Sequence, residues 1–211
     1  MIGLLSDLNI ASSPKFRLLI QLITVIIFLN LYDSIIIDTR IEFLNNLMNE
    51  PILKVLIQSF FFLVIINGFN FIDGVNNLSS LNFLIILFFS YLLIEKTNFL
   101  PISDEITILI LCIFIFIIFN FFGKNFLGDG AVYGLSFIIG FFLIQISMYD
   151  SKISPYFIAN LLWYPAFENL FSIIRRSIYK KKNYLPDNLH LHQMLFKFFN
   201  KKNYFKKKYF L

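Results

Sequence analysis

Apolar runs close to membrane-spanning length, separated by short polar segments, recur along this chain at Phe16 to Ile37, Ile52 to Ile72, Leu78 to Ile94, Ile106 to Phe122, Ala131 to Tyr149 and Ile153 to Ile174. Each approaches the roughly 20 residues that cross a hydrocarbon core of about 30 Å, and two lie near the lower limit. A spanning segment must satisfy its backbone hydrogen bonds internally, so these runs are predicted to be helices. Pro51, Pro101 and Pro155 sit at or just outside the starts of their runs, where a missing N–H costs little. The expectation is an all-α, polytopic membrane helix bundle of about six transmembrane helices.

Composition strengthens this picture. Of the 211 residues, 58% are hydrophobic and only 15% charged, outside the usual range of a soluble globular chain. The first run follows a short polar start and not the charged n-region and small-residue cleavage site of a secretory signal, so it reads as a retained span. Cys112 is the single cysteine, which excludes a disulfide or a cysteine-based metal site within one chain. The formal charge of +5 comes largely from the C-terminal Lys clusters. A basic tail beside a membrane helix answers to anionic lipid and topology more often than to nucleic acid, and no nucleic-acid partner is expected. No internal repeat stands out. Residues 1–211 read as one membrane domain, with 175–211 as its basic cytoplasmic tail.

Charge also divides the connections into two sets. Asp38 to Glu50, Glu95 to Glu105 and Asp150 to Lys152 hold seven acidic residues and only Arg40, Lys96 and Lys152 as cations. The N-terminus, Asn67 to Asn77, Lys124 to Gly130 and the tail from Arg175 hold fourteen of the eighteen Lys and Arg. The positive-inside rule then places both termini in the cytoplasm, and an even number of spans agrees with it. The polar, glycine-containing stretches all fall in this inward set, where they can share one site.

Four such stretches are candidates for chemistry. In Gly3-Leu4-Leu5-Ser6-Asp7-Leu8-Asn9, followed by Ser13-Pro14-Lys15-Phe16-Arg17, the Asp7 carboxylate is either a base or metal ligand at the membrane surface, or a solvated terminal charge. In Asn67-Gly68-Phe69-Asn70-Phe71-Ile72-Asp73-Gly74-Val75-Asn76-Asn77, a helix carries Asn67, Asn70 and Asp73 along one face; helix capping explains one or two of these residues but not all. In Asn120-Phe121-Phe122-Gly123-Lys124-Asn125-Phe126-Leu127-Gly128-Asp129-Gly130, a carboxylate between glycines lets the backbone approach a phosphate or a hydrated Mg²⁺, although a tight turn has the same pattern. Last come Arg175-Arg176 and Pro186-Asp187-Asn188-Leu189-His190-Leu191-His192-Gln193. His190 and His192, the only histidines, can meet one ligand from a loop or strand but diverge on a helix. Beside the Arg pair they suit a diphosphate and make a poor transition-metal site; the alternative is two incidental surface histidines.

Taken in order, the four stretches resemble the signature of the polyprenyl-phosphate N-acetylhexosamine-1-phosphate transferases, glycosyltransferase family 4, of the undecaprenyl-phosphate GlcNAc-1-phosphate transferase kind. That family starts peptidoglycan-lipid, O-antigen lipopolysaccharide and capsule assembly. The resemblance implies a Mg²⁺-dependent enzyme, with Mn²⁺ as the alternative ion, that attacks the β-phosphorus of a UDP-sugar with a polyprenyl phosphate oxygen and releases UMP. It implies Asp7 and Asp73 as catalytic acids, Asp129 as the metal ligand, and Asn67, Asn70, Phe126, Lys124, Arg175, Arg176, His190 and His192 as nucleotide- and substrate-binding residues. Phe126 would stack on uracil, Asn70 and Asp73 would lie near the nucleoside, and the histidines near the diphosphate. The implied place is the bacterial inner membrane, multi-pass, with the active face cytoplasmic. The implied partners are a UDP-sugar, polyprenyl phosphate, the bilayer, and either a second copy or a chain complementing missing segments.

The chain departs from the pattern at three points. Ser6 stands where the first aspartate is expected, Asn76-Asn77 replace Asp-Gly, and Gln193 replaces the last histidine. Serine and asparagine hydrogen-bond but do not act as carboxylate bases. The family pattern also has helices before the first motif and after the histidine loop, so a partial family domain, shortened at both ends, is expected. A non-catalytic fragment or membrane subunit that keeps the fold is therefore the alternative to an enzyme. A channel is less favoured, because polar residues gather at one surface while Lys54 and Glu168 lie near span ends or are isolated.

Overall fold

The computed structural model describes residues 2–8, 13–32, 38–97, 100–178 and 190–201, and among them all regular structure is helical. The elements are α1 (Ile2–Asp7), α2 (Pro14–Leu31), α3 (Glu42–Leu47), α4 (Pro51–Ile72), α5 (Leu78–Thr97), a single 3₁₀ turn (Leu100–Ile102), α6 (Ser103–Phe121), α7 (Gly128–Tyr149), α8 (Pro155–Leu161), α9 (Trp163–Ile178) and α10 (Leu191–Lys201). Pro14, Pro51 and Pro155 open α2, α4 and α8, each after a residue in extended conformation. Proline's fixed φ suits this first position, where its absent N–H would have no partner. Asp104 and Glu105 occupy the first turn of α6, where negative charge meets the positive end of the helix dipole.

Five helices, α2 and α4 to α7, are long and apolar enough to cross a membrane. Their outer faces stay apolar: α6 exposes Ile108, Leu111, Phe114, Ile115 and Ile118. Water would penalise such a surface, and lipid does not, so the bundle is a membrane bundle. The predicted first run is observed only as far as Leu31, and residues 33–37 lie outside the described residues.

The sixth predicted run, Ile153 to Ile174, is present as two helices, α8 and α9, which together are long and apolar enough to be a sixth span but are not one straight helix. The chain breaks at Leu162 and bends by 73° between α8 and α9. Pro165 supplies the reason: within a continuous helix its missing N–H would leave the Leu161 carbonyl without a donor, and its ring would press on that carbonyl. Three residues into a new helix, the same proline is tolerated.

α4 is the central element and packs against α2, α7 and α9, while α5 packs against α6 and α7. Phe69 of α4 stacks on Phe83 of α5 at 4.1 Å, and Phe62 meets Phe28 and Phe137 at 6.1 and 5.2 Å. Where α9 crosses α4 the backbones nearly touch, because a Cβ on Gly68 would lie 2.2 Å from the Pro165 carbonyl oxygen. Asn169 then donates to the Val64 carbonyl at 3.0 Å. α9 is amphipathic in the sense opposite to a soluble helix. Glu168, Asn169, Ser172, Arg175 and Arg176 are buried, while Trp163, Phe167, Phe171 and Ile174 face outward.

The helices run alternately, so the connections fall at two ends. At one end Arg40 reaches from the α2–α3 connection to the Ser151 carbonyl at 2.6 Å. At the other, α1, the α4–α5 connection and the α6–α7 connection meet. These ends separate the same two sets of loops that charge separates.

Candidate functional site

The centre of the second end is the start of α7. Gly128, at φ +71°, turns the chain into the helix, a conformation that favours glycine. α1 lies directly on this start: a Cβ on Gly3 would fall 2.5 Å from the Asp129 carbonyl oxygen, and one on Gly130 2.9 Å from the Leu4 side chain. The Gly-Asp-Gly triplet therefore serves a close helix approach. Asp7 completes the junction, its Oδ1 accepting the Asp129 N–H at 2.9 Å and its Oδ2 the Gly130 N–H at 3.0 Å. These donors belong to the first turn of α7, where backbone N–H groups lack helical partners.

Asp129 points into a compact polar group. Its Oδ2 accepts from Ser6 Oγ and Arg17 Nη1, both at 2.6 Å, and from the Tyr133 hydroxyl at 3.3 Å. Arg17 Nη1 also lies 2.6 Å from Ser6 Oγ. Ser6 thus does at this position what a hydroxyl can do and a second carboxylate could not: it donates to Asp129 while accepting from Arg17. Among the described residues, Asp129 Oδ1 has no hydrogen bond.

Asp73 caps the C-terminal end of α4, and the Ser79 hydroxyl donates to its Oδ1. Burial pushes its carboxyl up to about 6; the Ser79 bond opposes this, and the charges of Asp129 and Asp7 add to it. Those two contributions show that the three acids share one electrostatic environment. Asn70 is half-buried one turn earlier. Asn67 is turned to helix packing, donating to Gln21 Oε1 at 3.0 Å and to its own Leu63 carbonyl at 2.9 Å. The loop after Asp73 is tied to its neighbour through Asn120, whose Oδ1 accepts the Asn77 N–H at 2.7 Å and whose amide donates to the Asn125 carbonyl at 2.6 Å. Asn77 has φ 64°, the left-handed region. Asparagine is among the few residues that tolerate it, which accounts physically for asparagine in place of the expected glycine.

Phe126 stands 77% exposed in the α6–α7 connection, with Lys124 exposed beside it. Arg175 and Arg176 are buried at the end of α9; the Arg175 guanidinium lies 5.4 Å from the Phe171 ring, and that of Arg176 lies 5.6 Å from the Phe71 ring. His190, just before α10, is buried with Nδ1 3.0 Å from Glu168 Oε2. Its backbone N–H meets Gln193 Oε1 at 3.3 Å. Gln193 thus closes the half of a capping box that reaches back to the cap residue, a structural use for the side chain found in place of histidine. The backbone of His192 belongs to α10, and its side chain lies outside the described residues.

Arg17, Ser79, Tyr133, Asn120 and Glu168 belong to this end of the molecule, although the sequence pattern assigns none of them a site role. Glu168 carried the strongest signal, because an ionisable residue in an apolar segment needs a partner. It is not isolated as the sequence suggests. Arg17 carried a weaker one, a cation entering a span near an acid.

Among the described residues, no three His, Cys, Asp or Glu side chains are grouped to hold a metal by themselves. A Mg²⁺ ion does not require such a cage, since it keeps several waters and takes one or two carboxylates together with substrate phosphates. Asp129, whose Oδ1 accepts no hydrogen bond among the described residues, is the carboxylate that could offer such an ion an oxygen. The Arg17 guanidinium meanwhile offsets the Asp129 charge.

A family model described as Glycosyl transferase family 4 matches residues 1–147, a span that contains Asp7, Asp73 and Asp129 and ends before α8. No curated protein and no solved structure matches the chain.

Proposed function

The chain belongs to glycosyltransferase family 4, and on that premise we propose that it transfers N-acetylhexosamine-1-phosphate from a UDP-sugar to polyprenyl (undecaprenyl) phosphate and releases UMP. Membership itself carries the coarser statement: a membrane enzyme family that moves a glycosyl-1-phosphate to a lipid carrier. The observation that supports the finer reading is the meeting of Asp7, Asp73 and Asp129 with Arg17 at one end of an apolar bundle. A lipid phosphate and a polar nucleotide can both reach such a place, one from the bilayer and one from water.

In this reading an oxygen of the lipid phosphate attacks the β-phosphorus, the bond from that phosphorus to the bridging oxygen breaks, and UMP leaves with that oxygen. Asp129 Oδ1 would hold Mg²⁺, which supplies neutralisation of the diphosphate charge when bound. Asp73 keeps Oδ1 on Ser79 and uses Oδ2 to hold or orient the proton of the incoming lipid phosphate; an acid with its pKa near 6 suits that task. Asp7 acts from behind, because both its oxygens are committed to the α7 amides and so fix Asp129. Phe126 and Asn70 are assigned to the nucleoside, and Lys124, Arg175, Arg176, His190 and His192 to phosphate oxygens. The charge asymmetry of the loops supports an inner-membrane orientation with this end, and both termini, in the cytoplasm.

The test is Mg²⁺-dependent transfer of label from UDP-N-acetylhexosamine to polyprenyl phosphate in membranes holding the protein, abolished in Asp129→Asn. Absence of labelled lipid at saturating substrate refutes catalysis. The second reading, a subunit that binds nucleotide without turnover, is favoured by Ser6, a hydroxyl at an acid position; nucleotide binding in membranes that show no transfer would establish it.

A further inference from the structure

Glu168 lies on the face of α9 that packs against α4 and is 1% exposed, in a segment whose outer face is apolar. An ionisable side chain so placed is expensive unless it is paired. Both of its oxygens are in use. Oε2 is 3.0 Å from His190 Nδ1, and Oε1 accepts the Leu191 N–H at 2.7 Å. One carboxylate thus grips two consecutive residues at the start of α10, fixing the position of the backbone and the rotation of the imidazole together. An ionised carboxylate offers acceptors only, which selects the ring form that carries a proton on Nδ1. Phe71, two residues before Asp73, holds the ring plane from another side, with centroids 5.2 Å apart at 30°.

We propose that Glu168 is a positioning residue for the transfer reaction: its carboxylate sets the ring form and aim of His190, so that the chemistry of this histidine passes through Nε2 to the diphosphate of the donor. This rests on the function proposed above, because it gives His190 a diphosphate to act on. A carboxylate behind a working imidazole has this orienting effect in metal sites and in hydrolase triads alike. Glutamine at 168 would keep its carbonyl oxygen for the Leu191 N–H and present an amide N–H to Nδ1, which would then have to accept, moving the ring proton to Nε2.

The chain has 2 histidines, so the full-length protein with His192→Ala, labelled with ring-¹⁵N histidine in nanodiscs, reports on His190 alone. Glu168 should hold Nδ1 protonated and hydrogen-bonded, and Glu168→Gln should lose that single signature. In transfer assays, Glu168→Gln should lower kcat by about tenfold or more with little change in KM for the UDP-sugar. In a His190→Ala background it should cause no further loss. An unprotonated Nδ1 in the Glu168 protein, a signature unchanged by Glu168→Gln, or a full additional loss in the His190→Ala background overturns the proposal. A chain that never transfers label refutes the proposed function instead, and the nitrogen signals then still decide whether Glu168 fixes His190.

Discussion

The two ends of this bundle satisfy their polar groups in opposite ways. At the end built from the α2–α3 and α7–α8 connections, Asp38 accepts from the Arg40 N–H and from Asn45, partners two and seven residues away, and Lys152 N–H is held by Asp150, again two residues away. These are turn and cap bonds that any helix connection needs, with Arg40 to Ser151 as a longer-range tie. At the other end Ser6 and Arg17 reach Asp129 across 123 and 112 residues, and Asp7 reaches Gly130 across 123. The acids differ accordingly. Hydrogen bonds from the Arg40 N–H and Asn45 hold the Asp38 carboxyl below its ordinary value, whereas burial drives Asp73 up to about 6. One end holds Asp38 as an ion through its own turn; the other holds the Asp73 carboxyl against its preference for water, beside two further acids tied down by distant partners.

The strongest way to break this comparison is to neutralise one acid at each end. Asp129→Asn removes the charge that anchors Arg17 and that, in the proposed function, would hold the metal, and label transfer should fall by about a hundredfold or more. Asp38→Asn should leave transfer within about twofold. Equal losses would show that the distinction between the ends is wrong.

Next in size is packing beneath the site. Gly68→Ala forces a Cβ to within 2.2 Å of the Pro165 carbonyl oxygen, pushing α9 from α4 and the Arg175, Arg176 and Glu168 group with it. Thermal unfolding in detergent should register a loss of about 1–3 kcal/mol.

Titration should sharpen the contrast, because the two ends have opposite signs. Asp73 has a folded-state pKa above its unfolded value of 3.8, so its contribution to stability is complete below that pH and lost as pH rises through about 6. Asp38, held below 3.8, contributes above that value and loses its contribution as pH falls. Asp73→Asn should therefore stabilise the protein near neutral pH by on the order of 1 kcal/mol, allowing for solvent at this half-buried position. The same variant should lose transfer and the rise of kcat/KM through pH about 6. A variant that is both less stable and still active would contradict the assignment.

The smallest expected effect tests the loop after Asp73. Asn77→Ala should cost about 1 kcal/mol because alanine resists the left-handed conformation, while Asn77→Gly should be nearly neutral. Melting temperatures of the two variants separate these outcomes.

Much of the architecture is legible in the sequence. The number and extent of α4, α5, α6 and α7 follow from apolar length alone, since lipid accepts no other spanning structure for such runs. The pairing of loops into two ends follows from counting helices. The break at Leu162 escaped because apolar composition continues through it; the signal was Pro165, whose effect depends on which register the chain adopts on either side. Asp73 and Asp129 could be named as candidates because acids beside glycines at helix ends are informative residue types, and Asp7 because it is a carboxylate just before an apolar run.

What the sequence by itself determined about this protein is a membrane bundle with its chemistry-bearing segments at one end, because hydrophobic length and chain alternation act locally and additively along the chain. Which side chains meet was decided only in three dimensions. Arg17 and Ser6 against Asp129, both Asp7 oxygens on the α7 amides, and Glu168 behind His190 depend on helices approaching closely enough to bring distant residues within about 3 Å. That closeness comes from the absent side chains of Gly3, Gly68 and Gly130, whose meaning lies in what packs against them.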